Sequence, residues 1–227
     1  MTISIITLFP QMFEGPFSHS IIKRALNKNL LEIKLIDLRS FGIGKHKTVD
    51  DKPYGGGAGM ILRVDVLKKA IDETRDKTLN KSEEKVILMD ASGKTFNQKN
   101  AERLSKLKHL IIICGHYEGV DARVRNFIDE EISVGDFILT GGEIPAILVT
   151  DAVARYAENV LKKGVIEAES FSGDDNSHLE YPQYTRPDVF EKLSVPKILR
   201  EGNHGKIAEW KKEASKKRTE KLRPDLL

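Results

Sequence analysis

Short β-branched and aliphatic runs alternate with stretches of helical spacing along the first two thirds of the chain. Ile3–Phe9 is apolar and ends at Pro10, which predicts a buried strand. Ser18 is placed to cap a helix running to about Asn29, with Ile21, Ile22, Ala25 and Leu26 inward. Leu31–Leu38 alternates as a second strand, and a polar, glycine-rich loop follows from Ser40 to Gly59. Val64–Thr78 carries Val66, Leu67, Ala70 and Ile71 as a helical stripe. Val86–Met89, Leu110–Cys114 and Ile132–Val134 read as strands, with a helix near Asn97–Leu107 between the first two. Glu143–Leu161 reads as a helix with Pro145 in its first turn. This alternation predicts an α/β domain with a largely parallel sheet over residues 1–161.

The pattern changes after Leu161. Residues 162–181 are rich in Gly, Ser, Asp and Glu, show no apolar period and read as a mobile linker. Residues 182–227 read as a small basic helical domain, with prolines punctuating short segments and a helix from about His204 to Lys217. Lysines and arginines from Lys211 to Arg223 outweigh the acids Glu209, Glu213 and Glu220 there.

Three glycine-containing clusters carry the candidate chemistry. Tyr54–Met60 follows Lys45, Lys47 and Lys52, so either a plain flexible loop or a phosphate- or base-contacting one fits it. Cys114–Asp121 stands at the carboxyl end of an apolar strand, where open α/β sheets hold ligands. Ser133–Pro145 runs from a strand into a helix start, with Phe137, Ile138 and Leu139 as an apolar wall beside exposed amides; a tight turn without chemistry is the plain alternative. No Gly-Lys-Ser/Thr completes a P-loop, and Leu8-Phe9-Pro10 replaces the Gly-x-Gly turn of a dinucleotide fold. Cys114 and His116 find no further ligands at metal spacing.

Composition narrows the setting. Of 227 residues, 40% are hydrophobic, enough for a buried core, and the net charge of +3 is too small to identify a partner. One cysteine excludes an intrachain disulfide and fits a reducing compartment. The opening MTISIITLFP reads as a strand rather than a signal peptide, and no apolar run reaches the ~20 residues of a membrane span. A cytoplasmic protein is expected, with no membrane partner.

In order along the chain, Leu8-Phe9-Pro10, Thr48-Val49-Asp50-Asp51, the three clusters, Tyr184-Thr185-Arg186-Pro187 and Gly202-Asn203-His204 resemble the bacterial tRNA (guanine-N1)-methyltransferases. The resemblance covers nearly the whole chain. It implies a trefoil-knotted α/β methyltransferase domain of the SPOUT type, working as a homodimer and methylating N1 of guanosine 37 in tRNA from S-adenosylmethionine. By the same likeness the third cluster is the knot loop. Leu88, Gly115, Tyr117, Glu118, Ser133, Val134, Gly135, Asp136, Phe137, Ile138, Leu139, Gly141, Gly142 and Pro145 fall at cofactor-contacting positions. Asp50 and Gly59 fall where the guanine and its preceding base are recognised. Glu169 and Arg155 occupy the positions of a general base for N1 and a cation for O6; Glu169 stands where most relatives look to have Asp. The motifs are compatible with a Mg2+ requirement and do not specify one. A knotted methyltransferase for another RNA site and an RNA-binding homologue with impaired catalysis remain the rival readings.

Overall fold

Five strands, all parallel to their neighbours, form the central sheet: β1 (Thr2–Thr7), β2 (Glu32–Asp37), β5 (Glu84–Thr95), β6 (His109–Cys114) and β7 (Glu130–Ser133), in the order β2-β1-β6-β5-β7. The computed structural model describes residues 1–162, 164–166, 169–172 and 178–227. It divides into two units, Met1–Leu161 and Lys162–Leu227.

The near-continuous apolar runs of β1, β5 and β6 follow from burial on both faces. Successive side chains point to opposite sides. Ile3, Ile5, Ile87, Met89, Leu110 and Ile112 therefore join one core, with residues of α2 (Ser20–Asn27), α4 (Gln98–Ser105) and α5 (Glu143–Tyr156). Ile6, Val86, Leu88, Ile111 and Ile113 join another, capped by the stripe Val66, Leu67, Ala70 and Ile71 of α3 (Val64–Thr74). The expected α/β class with a parallel sheet is the observed one.

Several boundaries differ from the sequence reading, each for a local reason. Ser18 does not cap α2. Its hydroxyl donates to Gly15 O at 2.9 Å and closes α1 (Glu14–Phe17), while His19 precedes α2 without a side-chain cap. α3 stops at Thr74, where Arg75 turns extended and its guanidinium reaches Glu84 and Asp129. α5 stops at Tyr156, since Ala157 is extended and Asn159 takes φ +62°. β5 runs past Met89 through a bulge that sets both Met89 and Lys94 opposite Ile132. Gly93 allows it, because a β-carbon there would meet the Glu131 carbonyl carbon and Ile132 N at 2.5 Å. β3 (Asp50–Asp51), within the polar loop, pairs antiparallel with β4 (Ile61–Leu62), just beyond it. The other side of β4 bonds to residues 119 and 121 through Leu62 N to Gly119 O (3.1 Å) and Asp121 N to Leu62 O (3.0 Å).

In the second unit a hairpin joins β8 (Val189–Phe190) to β9 (Leu193–Ser194), and α6 (His204–Leu222) follows, capped by the Asn203 side chain on Lys206 N. α6 runs five residues beyond the expected Lys217. The expected linker falls partly outside the described residues, at 163, 167–168 and 173–177. Its described residues carry no strand or α-helix, yet Leu179 N bonds Thr219 Oγ1 (2.9 Å), Ser215 Oγ bonds Leu179 O (2.6 Å) and Arg218 bonds Glu180 O (3.1 Å). Among the described residues no helix is long and apolar enough to cross a membrane.

Candidate functional site

The order β6-β5-β7 sets the ends of β6 and β7 beside the bulge of β5, and the segments meeting there line a cavity of about 440 Å³. Met89, Asp90 and Ala91 continue from the core of β5, Gly115 to Val120 follow β6, and Ile132 to Gly142 with Pro145 lead from β7 into α5, Asp136 alone standing off the wall. The location is the carboxyl end of a parallel sheet, where strands diverge and leave room for a ligand.

Two of the segments are joined by main-chain contacts. Gly142 N donates to Gly115 O at 2.7 Å, and His116 forms an isolated bridge with Gly141. A β-carbon on Gly142 would lie 2.7 Å from Cys114 Cα and from Gly115 N, so glycine is required for this approach. Ser133 Oγ donates to Gly135 O (3.0 Å) and turns the chain just after β7. Phe137, Ile138 and Leu139 then stand 55%, 83% and 41% exposed on the cavity rim, an apolar surface that a ligand would cover. Tyr117 holds the left-handed φ of +61°, with its N–H on His116 Nδ1 at 3.0 Å.

Of the residues singled out from the sequence, Gly115, Tyr117, Glu118, Ser133, Val134, Gly135, Phe137, Ile138, Leu139, Gly141, Gly142 and Pro145 all line this cavity. Leu88 and Asp136 do not. Strand alternation turns the Leu88 side chain into the α3-side core, leaving only its main chain, and Asp136 is exposed. Met89, Asp90 and Ala91, at the bulge within β5, together with His116, Val120 and Thr140, were missed by sequence reasoning. Asp90 and Ala91 had a signal, since they directly follow the apolar run Val86–Met89.

Gly59 reaches the same region from the polar loop. With φ +95°, it brings its α-carbon so close to Glu118 that a β-carbon would sit 2.6 Å from Glu118 Cγ. Glu118 N also donates to Met60 O at 3.1 Å. Asp50 lies on β3 opposite Leu62, one strand from that contact. Tyr54, in the glycine run, is fully exposed.

Arg155 is half-buried in the last turn of α5, in the first unit. Glu169 belongs to the second unit, in a tight turn where its N–H meets Ile166 O (3.3 Å) and its carbonyl accepts from Ser172 N (3.2 Å). Ser170 Oγ accepts from Glu180 N at 2.9 Å, which ties this turn to the stretch held by α6. Among the described residues no group of three or more His, Cys, Asp or Glu is placed to hold a metal ion.

A sequence model of the family described as tRNA (Guanine-1)-methyltransferase TrmD matches residues 1–227. The chain is similar to a tRNA (guanine-N(1)-)-methyltransferase of Dictyoglomus turgidum, 50% identical over all of this chain and 90% of the relative. Proteins of the same description from Enterococcus faecalis (47% identical, all of this chain and 91% of the relative) and Metamycoplasma arthritidis (48%, all and 96%) are similar over the same span.

Proposed function

The chain belongs to the tRNA (guanine-1)-methyltransferase family, and from that premise we propose that it methylates N1 of guanosine 37, the base just 3′ of the anticodon, in tRNA. The observation that carries the proposal is the cavity at the β5 bulge and the ends of β6 and β7. Its glycine main chain and uncovered apolar rim fit an adenosyl group, whose base needs amide and carbonyl partners beside an apolar wall. When bound there, S-adenosylmethionine supplies a methyl group already activated on a sulfonium.

The residues then have three tasks. The Ser133–Pro145 and Gly115–Glu118 segments hold the donor in line with the acceptor nitrogen. Guanine N1 carries a proton in the neutral base, and the Glu169 carboxylate takes it as the methyl arrives. Arg155 stabilises the negative charge that builds on O6. Asp50 and Gly59 read the guanine and the base before it, and the basic second unit grips the tRNA through phosphates. The knotted path of the loop, a homodimer with shared sites, and a cytoplasmic setting are inferred on the same family ground. Mg2+ is assigned no step.

The test is a single-turnover reaction of the full chain with labelled S-adenosylmethionine and unmodified tRNA, followed by mapping of the modified nucleotide. Label at N1 of the guanine 3′ of the anticodon, lost when that guanine is replaced, is the expected result. Label at another position would make the protein a methyltransferase for a different RNA site. No label at all would make it an RNA-binding homologue.

A further inference from the structure

Behind the Gly141–Gly142 turn stands Glu143, a carboxylate only 1% exposed, which neither the cavity lining nor the proposed proton transfer employs. Its Oε1 accepts from the Thr7 hydroxyl at 2.8 Å, and Thr7 Oγ1 in turn accepts from Phe9 N at 2.9 Å. Its Oε2 packs so closely on Gly141 that a β-carbon there would collide with it. One glycine therefore separates this carboxylate from the cavity that Gly141 lines.

A carboxylate taken this far from water is costly unless something compensates it. The chain supplies one hydroxyl donor and the first-turn position on α5, where the helix end carries partial positive charge. It supplies no cation: among the described residues no Lys or Arg pairs with Glu143. His116 packs against Gly141 as well, with its Nδ1 accepting from Tyr117 N. Cys114 brings no positive charge either: a thiol is neutral or anionic, and burial first, then the neighbouring Glu143, push its pKa up. A ligand cation is what such a wall lacks.

We infer that Glu143 is a positioning residue whose buried charge makes the cleft prefer the sulfonium donor over the neutral thioether product. This rests on the cavity being the methyl-donor site proposed above. Donor and product differ by one methyl group and one positive charge, so a fixed negative charge in a low-dielectric wall separates them where shape hardly does. It holds the donor until transfer and loses its grip on the product afterwards. Asp90 and Glu118 also line the cavity, but Arg125 faces Asp90 at 3.9 Å and Glu118 is exposed to solvent screening.

Calorimetric titration of the full chain with S-adenosylmethionine and with S-adenosylhomocysteine, for wild type, Glu143→Gln and Glu143→Asp, tests this. Glu143→Gln keeps the acceptor for Thr7 and removes only the charge. It should weaken the donor roughly tenfold and the product by less than about twofold. Equal losses for both ligands, or none for either, would overturn the inference and reduce Glu143 to a structural prop. Should Glu143→Gln not give a cooperative melt, Glu143→Asp decides: drawing the charge back by one methylene should weaken the donor more than the product, and matched effects overturn the idea. Wild-type protein that binds neither ligand would instead overturn the methyltransferase reading beneath it.

Discussion

At Gly142 the spacing leaves no room for any side chain, because the atoms in the way are main-chain atoms of Cys114 and Gly115 that cannot rotate aside. Gly142→Ala should therefore lower stability by about 1–3 kcal/mol, the usual range for overpacking. It should weaken S-adenosylmethionine binding as well, since the Gly142–Gly115 hydrogen bond must stretch; a melt and a titration of the same variant check both. Glu169 calls for the opposite pattern. If it is the base for N1, Glu169→Ala should cut single-turnover methylation by about 10²- to 10⁴-fold while leaving donor affinity unchanged. A variant with full activity would leave Glu169 without a part in the proton transfer. Its place in the family pattern is what singles Glu169 out of a charged segment.

Among the elements, α6 does more than its basic composition foretells. Thr219 is fully buried, donating to Ser215 O and accepting from Leu179 N. That second bond fixes the stretch which Glu180 N and Ser170 Oγ link to the Glu169 turn. Thr219→Val leaves the Leu179 N–H without its acceptor, a loss of about 1–3 kcal/mol. The expected result is slower methylation at unchanged donor affinity, read by single-turnover rates beside calorimetry. Nothing in the spacing of α6 announces this, because the partner of Thr219 lies 40 residues away. The strands were legible for the opposite reason: β1, β5 and β6 are buried on both faces and so are written as unbroken aliphatic runs. The bulge in β5 was not, since nothing in Asp90-Ala91-Ser92-Gly93 shows that β7 lies beside it. The cavity was half legible. Its glycines stand out in the sequence, but the convergence of segments near 89, 115 and 135 depends on a strand order that local patterns do not contain.

Across the whole molecule, charge sets two dependences of different origin. Glu130 on β7 receives both terminal nitrogens of the Arg103 guanidinium (2.7 and 2.6 Å) and the Lys85 ammonium (2.8 Å). Burial works to raise its pKa, but the Arg103 and Lys85 hydrogen bonds outweigh that and hold it below the ordinary glutamate value of 4.5. A carboxyl depressed in the folded state stabilises the fold above its unfolded value, and the contribution is lost as pH falls through the folded one. Melting temperature should thus drop on acidification below about pH 4.5, and Glu130→Gln should flatten part of that slope. Binding of tRNA depends on charge at longer range. The net excess is only +3, but α6 carries seven of the cations against three acids, and just one of its residues is buried. Lys216 and Lys217 lie near Glu220 and Glu213 at 3.9 and 2.7 Å, pairs exposed enough to open toward phosphates at little cost. Each phosphate neutralised releases condensed counter-ions, so affinity for tRNA should fall at least tenfold between about 50 and 200 mM salt. Donor binding in the glycine-lined cavity displaces no such atmosphere and should change far less over the same range. Filter binding with tRNA and calorimetry with S-adenosylmethionine, run in parallel salt series, separate the two. Equal salt slopes would mean that the basic helix does not grip the nucleic acid.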